Sequence, residues 1–107
     1  MDWVRVKDRV QFSDERMQKI FLLRGGRGQL DLYCLRPGQA QKPHTHDDLD
    51  KIYLGVEGTG RVTIGGEERS LEPGEAVLAP AGVEHGVIND GLDALVMVVF
   101  VAPPPSH

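Results

Sequence analysis

The stretch GQAQKPHTHDDLDKIYLGVEG, residues 38–58, decides how the rest of this chain is interpreted. It places His44 and His46 two residues apart. Side chains alternate faces along a β-strand, so both imidazoles can point to the same side of a sheet. A metal ion needs ligands that converge in this way. The stretch therefore predicts a metal site, provided that the chain also supplies a third ligand and a framework of strands.

Glycine and proline punctuate the chain throughout, with 13 Gly and 7 Pro among 107 residues. This spacing is typical of short strands joined by turns. Residues 3–6 and 17–23 are predicted as strands, although residues 13–15 could instead start a helical turn. Residues 39–50 are predicted as a polar loop. Residues 52–56 form a predicted strand that is apolar on both of its faces, so we expect both faces to be covered.

A second patterned stretch, GEAVLAPAGVEHGVIN, covers residues 74–89. It resembles the second conserved motif of the cupins, and residues 38–58 resemble the first. The matching positions are Gly38, His44, His46 and Gly58 in the first motif, and Gly74, Pro80, Gly82, His85 and Asn89 in the second. The resemblance implies an all-β double-stranded β-helix, the jelly-roll barrel of cupins. We expect one domain over residues 1–102, followed by a flexible tail at 103–107 that contains the unmatched His107.

His85 is the third candidate metal ligand. Three neutral imidazoles can hold a divalent first-row metal and still leave coordination positions open, as a working site requires. Residues 44–46 alone would be interpreted more simply as a polar loop, and His85 at its matching position reverses that preference. We therefore expect His44, His46 and His85 to bind one divalent transition metal. Imidazole suits Fe, Mn, Ni, Cu and Zn, so the sequence does not select among them.

The position where cupins usually carry a glutamate ligand departs from the family pattern. Counting back from Gly58 places Lys51 there, whereas counting on from His46 gives Asp50. A lysine ammonium has no lone pair and opposes the charge of a metal, so Asp50 is the preferred fourth ligand. Three alternatives stay open: a solvated acidic loop, an ion pair between Lys51 and an aspartate, and a ligand pocket without metal.

Lys51 and Tyr53 are the candidate catalytic residues. They are two residues apart on one predicted strand and should share a face. If Lys51 lines the interior of the barrel, Tyr53 does so as well. Lys51 or a histidine could then serve as an acid or a base.

The charge and the cysteine content limit the classes of partner and the compartment. The chain has 12 Lys and Arg against 16 Asp and Glu, a formal net charge of -4, and no basic run that would fit a nucleic acid. One cysteine, Cys34, excludes an internal disulfide and favours a reducing compartment. Residues 1–5 do not resemble a signal peptide, and no apolar run has membrane-spanning length. We expect a cytoplasmic protein that binds neither nucleic acid nor membrane.

The resemblance to cupins also implies a set of possible functions. Cupins with three-histidine sites include metal-dependent dioxygenases, which makes a small-molecule oxidoreductase the first expectation. A non-enzymatic ligand-binding or sensor protein and a cupin-type isomerase or epimerase are the alternatives. Residues 94–102 have almost no polar side chains, and such an apolar surface marks an interface. Because cupins commonly pair through edge strands, the resemblance implies a homodimer.

Overall fold

The computed structural model describes residues 1–106. One short 3-10 helix, Val6–Arg9, precedes nine strands in the described residues. The strands are β1 (Gln18–Arg24), β2 (Gln29–Leu35), β3 (Ala40–His44), β4 (Asp50–Glu57), β5 (Gly60–Ile64), β6 (Glu67–Leu71), β7 (Ala76–Ala79), β8 (His85–Ile88) and β9 (Leu95–Ala102). None of the described residues belongs to a helix long and apolar enough to cross a membrane.

Two antiparallel sheets face each other and form a double-stranded β-helix, the fold that the sequence predicts. One sheet has the order β1-β2-β9-β4-β7 and the other has the order β3-β8-β5-β6. The chain alternates between the sheets, so neighbouring strands are mostly distant in sequence. The inward side chains of both sheets form one apolar core that includes Leu35, Val62, Leu71 and Met97.

The prediction of a first strand at residues 3–6 is wrong. Residues 1–5 have no regular structure, and Val6 begins the 3-10 helix. The apolar side chains of this N-terminal segment, among them Val4 and Phe12, pack instead on Leu32 and Val96 on the outer face of the five-stranded sheet. The alternation of charged and apolar residues in this segment thus reflects packing on one side and not pairing in a sheet.

Two further expectations about the strands are also wrong. Residues 39–50 are not wholly a loop, because β3 takes up the part that ends at His44. The outer face of β4 is not covered, because Ile52 and Leu54 keep 41% and 40% of their surface exposed. Strand β1 at Gln18–Arg24, in contrast, confirms the strand predicted for residues 17–23 over the helical turn.

Strand β9 lies inside its sheet, between β2 and β4. Its inward residues, such as Met97 and Val99, are fully buried in the core. Its outward Val96 is covered by the chain's own N-terminal segment, whereas Phe100 is 42% exposed. The apolar composition of β9 therefore comes mainly from burial within the chain.

The residues after β9 extend along the mouth of the barrel. The Pro105 carbonyl accepts a hydrogen bond of 3.0 Å from Nη1 of Arg24, at the end of β1. The flexibility expected for residues 103–107 stays a prediction, and His107 lies outside the described residues.

Gly58 provides a test of how tightly the barrel is closed. Its φ is +73°, and an added Cβ would overlap the carbonyl oxygen of Ala94. We expect Gly58→Ala to lower the free energy of unfolding by about 2 kcal/mol or more, measured by urea denaturation, because backbone strain and steric overlap act together.

Gly26→Ala is the matched control. Gly26 has no positive φ, and a Cβ there would have no neighbour within 4 Å. Its effect should stay within about 0.5 kcal/mol. Equal effects of the two substitutions would contradict the assignment of Gly58 as a closure point.

Candidate metal centre

His44 and His85 face each other across two neighbouring strands. His44 ends β3, His85 begins β8, and the two are directly paired in the antiparallel ladder. The register shifts between Gln41 and His44, so an irregularity in β3 sets the direction of the His44 ring. His46 follows two residues later, where the chain leaves the strand. The ends of β3 and β8 thus bring all three histidines to the same mouth of the barrel.

The three imidazoles converge on one point. One ligand nitrogen from each of His44, His46 and His85 lies within 4.8 Å of the other two. The ring centroids are 4.4 Å apart for His44 and His85, 4.6 Å for His44 and His46, and 5.7 Å for His46 and His85. Nitrogens at this separation can share one ion at the usual metal–nitrogen distance of about 2.0–2.1 Å after small side-chain adjustments.

Backbone carbonyls fix the orientation of two of these rings. Nδ1 of His44 lies 2.9 Å from the Lys42 oxygen, and Nδ1 of His85 lies 3.0 Å from the Val83 oxygen. A carbonyl only accepts, so each Nδ1 carries the proton and each Nε2 presents its lone pair. This is the usual outer support of a metal-binding histidine.

His85 supplies the observation that tests whether a metal fits. Its Nε2 is buried and has no hydrogen-bond partner among the described residues, and the residue is only 1% exposed. A buried polar atom without a partner is costly and calls for an explanation. A metal ion shared with His44 and His46 would satisfy this atom, so the donor set fits a divalent metal.

The electrostatics of His46 and His85 favour the form of the imidazole that binds metal. Burial lowers the pKa of His85, although the Val83 carbonyl opposes the shift. Burial and the charge of Lys51 lower the pKa of His46. A lowered histidine pKa favours the neutral ring at neutral pH, and only the neutral ring has a lone pair for coordination.

Lys51, and not Asp50, points into the barrel. Lys51 is 5% exposed, whereas Asp50 is exposed, because neighbouring residues of β4 face opposite ways. Oδ1 of Asp50 accepts a hydrogen bond of 2.8 Å from the Ala81 amide. Asp50 is absent from the group of convergent metal ligands in the described residues. The geometry therefore gives no support to Asp50 as a fourth ligand.

An ion pair between Lys51 and an aspartate is likewise absent from the described residues. No carboxylate oxygen there lies within 4.0 Å of its ammonium. The ammonium donates instead to the hydroxyl of Tyr33, at 3.2 Å. The buried Lys51 ammonium thus has a neutral hydrogen-bond partner, the Tyr33 hydroxyl.

A network of neutral polar groups continues from Lys51 through the interior. Nε2 of Gln41 donates to the Tyr33 hydroxyl at 3.3 Å, and the Tyr53 hydroxyl donates to Oε1 of Gln41 at 3.1 Å. The Tyr53 ring lies 6.3 Å from the His85 ring, between centroids. The expectation that Lys51 and Tyr53 share the inner face agrees with this arrangement, and their catalytic roles stay a prediction.

Burial changes the ionisation of this network. Desolvation, and then the nearby Lys19, lowers the pKa of Lys51 to about 8. Desolvation raises the pKa of Tyr33 to about 12, against an opposing hydrogen bond from Gln41. Desolvation also raises the pKa of Tyr53. Both phenols are therefore neutral at physiological pH, and Lys51 is the interior group that can change its protonation most readily.

Sequence reasoning missed Gln41, Lys19 and Asp31, and it gave Tyr33 no role. Lys19 pairs with Tyr33 across β1 and β2, and Phe21 pairs with Asp31 two residues further along. Polar side chains at every second position of β2 were the available signal. Strand β1 has no matching pattern, because the apolar Phe21 follows Lys19 two positions along.

Comparison with known proteins agrees with the fold. Residues 31–101 match the family described as Cupin domain. An uncharacterized protein of Streptomyces coelicolor is 39% identical over 77 residues, which are 70% of each chain. The dimethylsulfoniopropionate lyase DddW of Ruegeria pomeroyi is 40% identical over 52 residues, 49% of this chain but only 34% of the lyase.

A solved structure covers nearly the whole chain. The crystal structure of TT1209 from Thermus thermophilus superposes with a TM-score of 0.94 at 42% identity, covering 98% of this chain and 100% of that one. The similarity therefore includes residues well outside the two motifs.

The lowered pKa of Lys51 predicts how stability depends on pH. Below about pH 8 Lys51 is protonated in both the folded and the unfolded state, so the folded state carries the full cost of burying its ammonium. Between about pH 8 and pH 10 the folded state loses its proton first. The free energy of unfolding of metal-free protein should therefore rise by roughly 1 kcal/mol per pH unit.

Urea denaturation at pH 8, 9 and 10 measures this rise, with Lys51→Met as the matched variant. The variant should lack the contribution of Lys51 and show a smaller slope. Equal slopes for the two proteins would show that burial does not perturb Lys51. Above pH 10 the raised pKa of Tyr33 acts in the opposite direction, which limits the useful range.

Proposed function

The chain belongs to the cupin family, and from this premise we propose that it is a metal-dependent enzyme acting on small molecules. The proposed metal ligands are Nε2 of His44 and of His85 and one ring nitrogen of His46. The reaction class that we propose first is a dioxygenase-like oxidation. A bound divalent metal would supply a Lewis acid and, if it is redox-active, a centre for oxidation.

The observation that carries this proposal is the buried Nε2 of His85. It has no partner among the described residues, although it lies at the convergence of three imidazoles. A purely structural histidine would be expected to use both ring nitrogens in hydrogen bonds. Three neutral ligands also leave coordination positions free, which a reacting centre needs and a closed structural site lacks.

The chain's own residues shape the reaction space beside these ligands. Lys51 holds a positive charge close enough to lower the pKa values of His46 and His85. The Tyr53 side chain is fully buried, and the centroid of its ring lies 6.3 Å from that of His85. A small molecule bound here would meet one cationic side and one apolar or phenolic side, an arrangement that fixes its orientation.

A second candidate is an isomerase-type or epimerase-type reaction that moves a proton without net oxidation. Lys51 favours it, because an amine with a pKa of about 8 can donate and accept protons near neutral pH. One relative is named as a lyase, and this likewise agrees with chemistry other than oxidation. In this version Lys51 would be the acid or base, and the metal ligands would keep their positions.

We also propose a homodimer. Exposed apolar side chains on the outer face of β4, β7 and β9 form a patch, which we call the outer patch: Ile52, Leu54, Val56, Leu78 and Phe100. Ile52 pairs with both Leu78 and Phe100 across its neighbouring strands, so the patch is continuous. The N-terminal segment covers the other half of this sheet. A second copy is the simplest cover for the exposed half.

The cytoplasm is the compartment that we propose. Cys34 is buried and free in the described part of the chain, where it packs with Leu22, Leu32 and Val96 as a small apolar residue. Such a thiol persists in a reducing compartment. The charge of -4 continues to argue against nucleic acid as a partner.

Elemental analysis of protein purified without added metal tests the proposed function. We expect close to one metal ion per chain, and a loss of most of it in His46→Ala and in His85→Ala, because two imidazoles hold a first-row metal far more weakly than three. Asp50→Asn is the matched control. It keeps the oxygen that accepts from the Ala81 amide, and it should retain the metal.

The metal that is found separates the candidates. Iron, copper, manganese or nickel supports the oxidoreductase, whereas zinc, which has no redox chemistry, supports the proton-transfer reaction. Parent protein without metal, after exposure to each of these ions, would contradict both. The non-enzymatic ligand-binding or sensor function would then take their place. Loss of metal in Asp50→Asn would restore Asp50 as a ligand.

Light scattering after size-exclusion chromatography tests the dimer. The parent should have about twice the chain mass of 11.8 kDa at micromolar concentration. Leu54→Lys should shift it to the monomer, because a buried unpaired charge at an interface costs several kcal/mol. Leu92→Lys is the control, since Leu92 is 95% exposed outside the patch. A monomeric parent would refute the dimer.

A further inference from the structure

One wall of the barrel mouth is cationic in a chain that is acidic as a whole. This cationic wall consists of Lys19 and Arg24 on β1, Asp31 on β2 and Lys51 on β4. All of these residues except Lys51 also line a cleft of about 350 Å³, together with Phe21 and Gln29. Gln29 and Lys51 both pair with Val101 across β9, so the cleft and the interior lysine belong to one continuous inner face.

The positive charges of the wall exceed its negative charge. Three cations face one carboxylate, and the described residues contain no ion pair within 4.0 Å for Lys19, Arg24 or Lys51. The Asp31 carboxylate accepts instead from Nε2 of Gln29, at 2.9 Å. Arg24 donates to neutral oxygens. Two positive charges are thus left without a counter-charge, whereas the whole chain has a net charge of -4.

Lys51 is the most deeply buried of these charged residues. It is 5% exposed, yet its ammonium has one acceptor among the described residues, the Tyr33 hydroxyl at 3.2 Å. Tyr33 accepts from both Lys51 and Gln41, and within the described residues its own proton has no acceptor. The ammonium and the phenol therefore present unused donors side by side. Buried charges are normally paired, so this arrangement indicates an anionic group that comes from outside the chain.

Lys19 extends the same donor set towards the solvent. Its Nζ lies 5.4 Å from the centroid of the Tyr33 ring, and Nζ of Lys51 lies 5.9 Å from that centroid. The two ammonium groups are near enough that the charge of Lys19 lowers the pKa of Lys51. An anion held by the Lys51 ammonium would offset this repulsion and gain a charge-assisted hydrogen bond.

We propose that Lys51 and Lys19, together with the Tyr33 hydroxyl, form a carboxylate-binding subsite that holds one end of a small carboxylic acid beside the three histidines. The inference builds on the proposed function, in that the other end of the molecule is the part presented to the metal ligands. The subsite itself consists of groups that need no metal in order to bind.

The size and the charge of the subsite favour a carboxylate over other anions. Lys51 lies too deep for a nucleic acid or a membrane surface to reach it. Of the three subsite residues, Lys19 lines the neighbouring cleft, whose volume of about 350 Å³ is at the small end of the range for ligand sites and fits a molecule of a few carbon atoms. The adjacent Lys51 ammonium and Tyr33 hydroxyl match the two oxygens of one carboxylate, and Lys19 adds a second positive charge nearby. A phosphate ester would bring more charge and further oxygens that require donors.

Titration of the metal-free protein by NMR tests the subsite directly. The probe is glycolate, with its uncharged counterpart glycolamide and with inorganic phosphate as comparisons. EDTA is present throughout, so binding cannot depend on a metal. Glycolate should bind and shift amides of β1, β2 and β4, while glycolamide should bind at least tenfold more weakly and phosphate should not compete at equal concentration.

Three variants locate the binding. Lys51→Met should weaken glycolate binding at least tenfold, and Lys19→Met should weaken it about threefold or more. Lys7→Met, on the exposed 3-10 helix, should leave it unchanged. Lys19 is exposed at the mouth, so its replacement leaves the core intact and keeps the test decisive even if Lys51→Met folds poorly.

The outcomes separate the subsite from the metal function. Glycolate binding that persists in His46→Ala while metal is lost supports the subsite independently of the metal. Equal affinity for glycolamide, unchanged binding in both lysine variants, or preferential binding of phosphate would each overturn the carboxylate subsite. None of these three results would affect the metal content of the parent protein.

Discussion

The close approach of β3 to β8 is the constraint on which the candidate site depends. The two strands pair so that His44 stands opposite His85. Gly86, next to His85, permits this approach, because a Cβ there would lie 2.9 Å from both the Gln41 carbonyl oxygen and the Pro43 nitrogen. Any side chain at position 86 would push β3 away and separate the histidines. The candidate metal centre therefore depends on the absence of a side chain at position 86 as much as on the imidazoles.

The interior of this small barrel is unusually polar for its size. Lys51, Tyr33, Gln41 and Tyr53 form a buried chain of hydrogen bonds between the two sheets. Apolar residues at these positions would bury the same space without the desolvation penalty of an ammonium group. Proteins commonly accept such a loss of stability where binding or catalysis requires it. The buried Lys51 ammonium places a positive charge close to His46 and His85, where a carboxylate ligand would have placed a negative one.

The chain itself covers only part of the outer surface of the five-stranded sheet. The N-terminal segment packs over β1, β2 and part of β9 through Val4, Val6 and Phe12. It does not extend to β4 and β7, where Ile52 and Leu78 stay partly exposed. One amphipathic segment of the chain thus covers half of the sheet and leaves the outer patch exposed. The inner face of the same sheet carries the cationic wall, so the candidate site and the outer patch lie on opposite faces of the same strands.

The sequence by itself determined the all-β barrel and the three histidines, because glycine and proline spacing, strand alternation and the two motifs are local properties of the chain. It could not determine whether Asp50 or Lys51 turns inward, since a shift of one residue in the register of β4 reverses every side chain. Nor could it show that residues 3–6 pack on a sheet and form no strand. Tyr33, Gln41 and Lys19 meet Lys51 only because β1, β2, β3 and β4 come together in space. Tertiary packing decides which side chains are buried and which form hydrogen bonds across distant strands. Here it buries Lys51, a residue type that is usually exposed, at the centre of the candidate site.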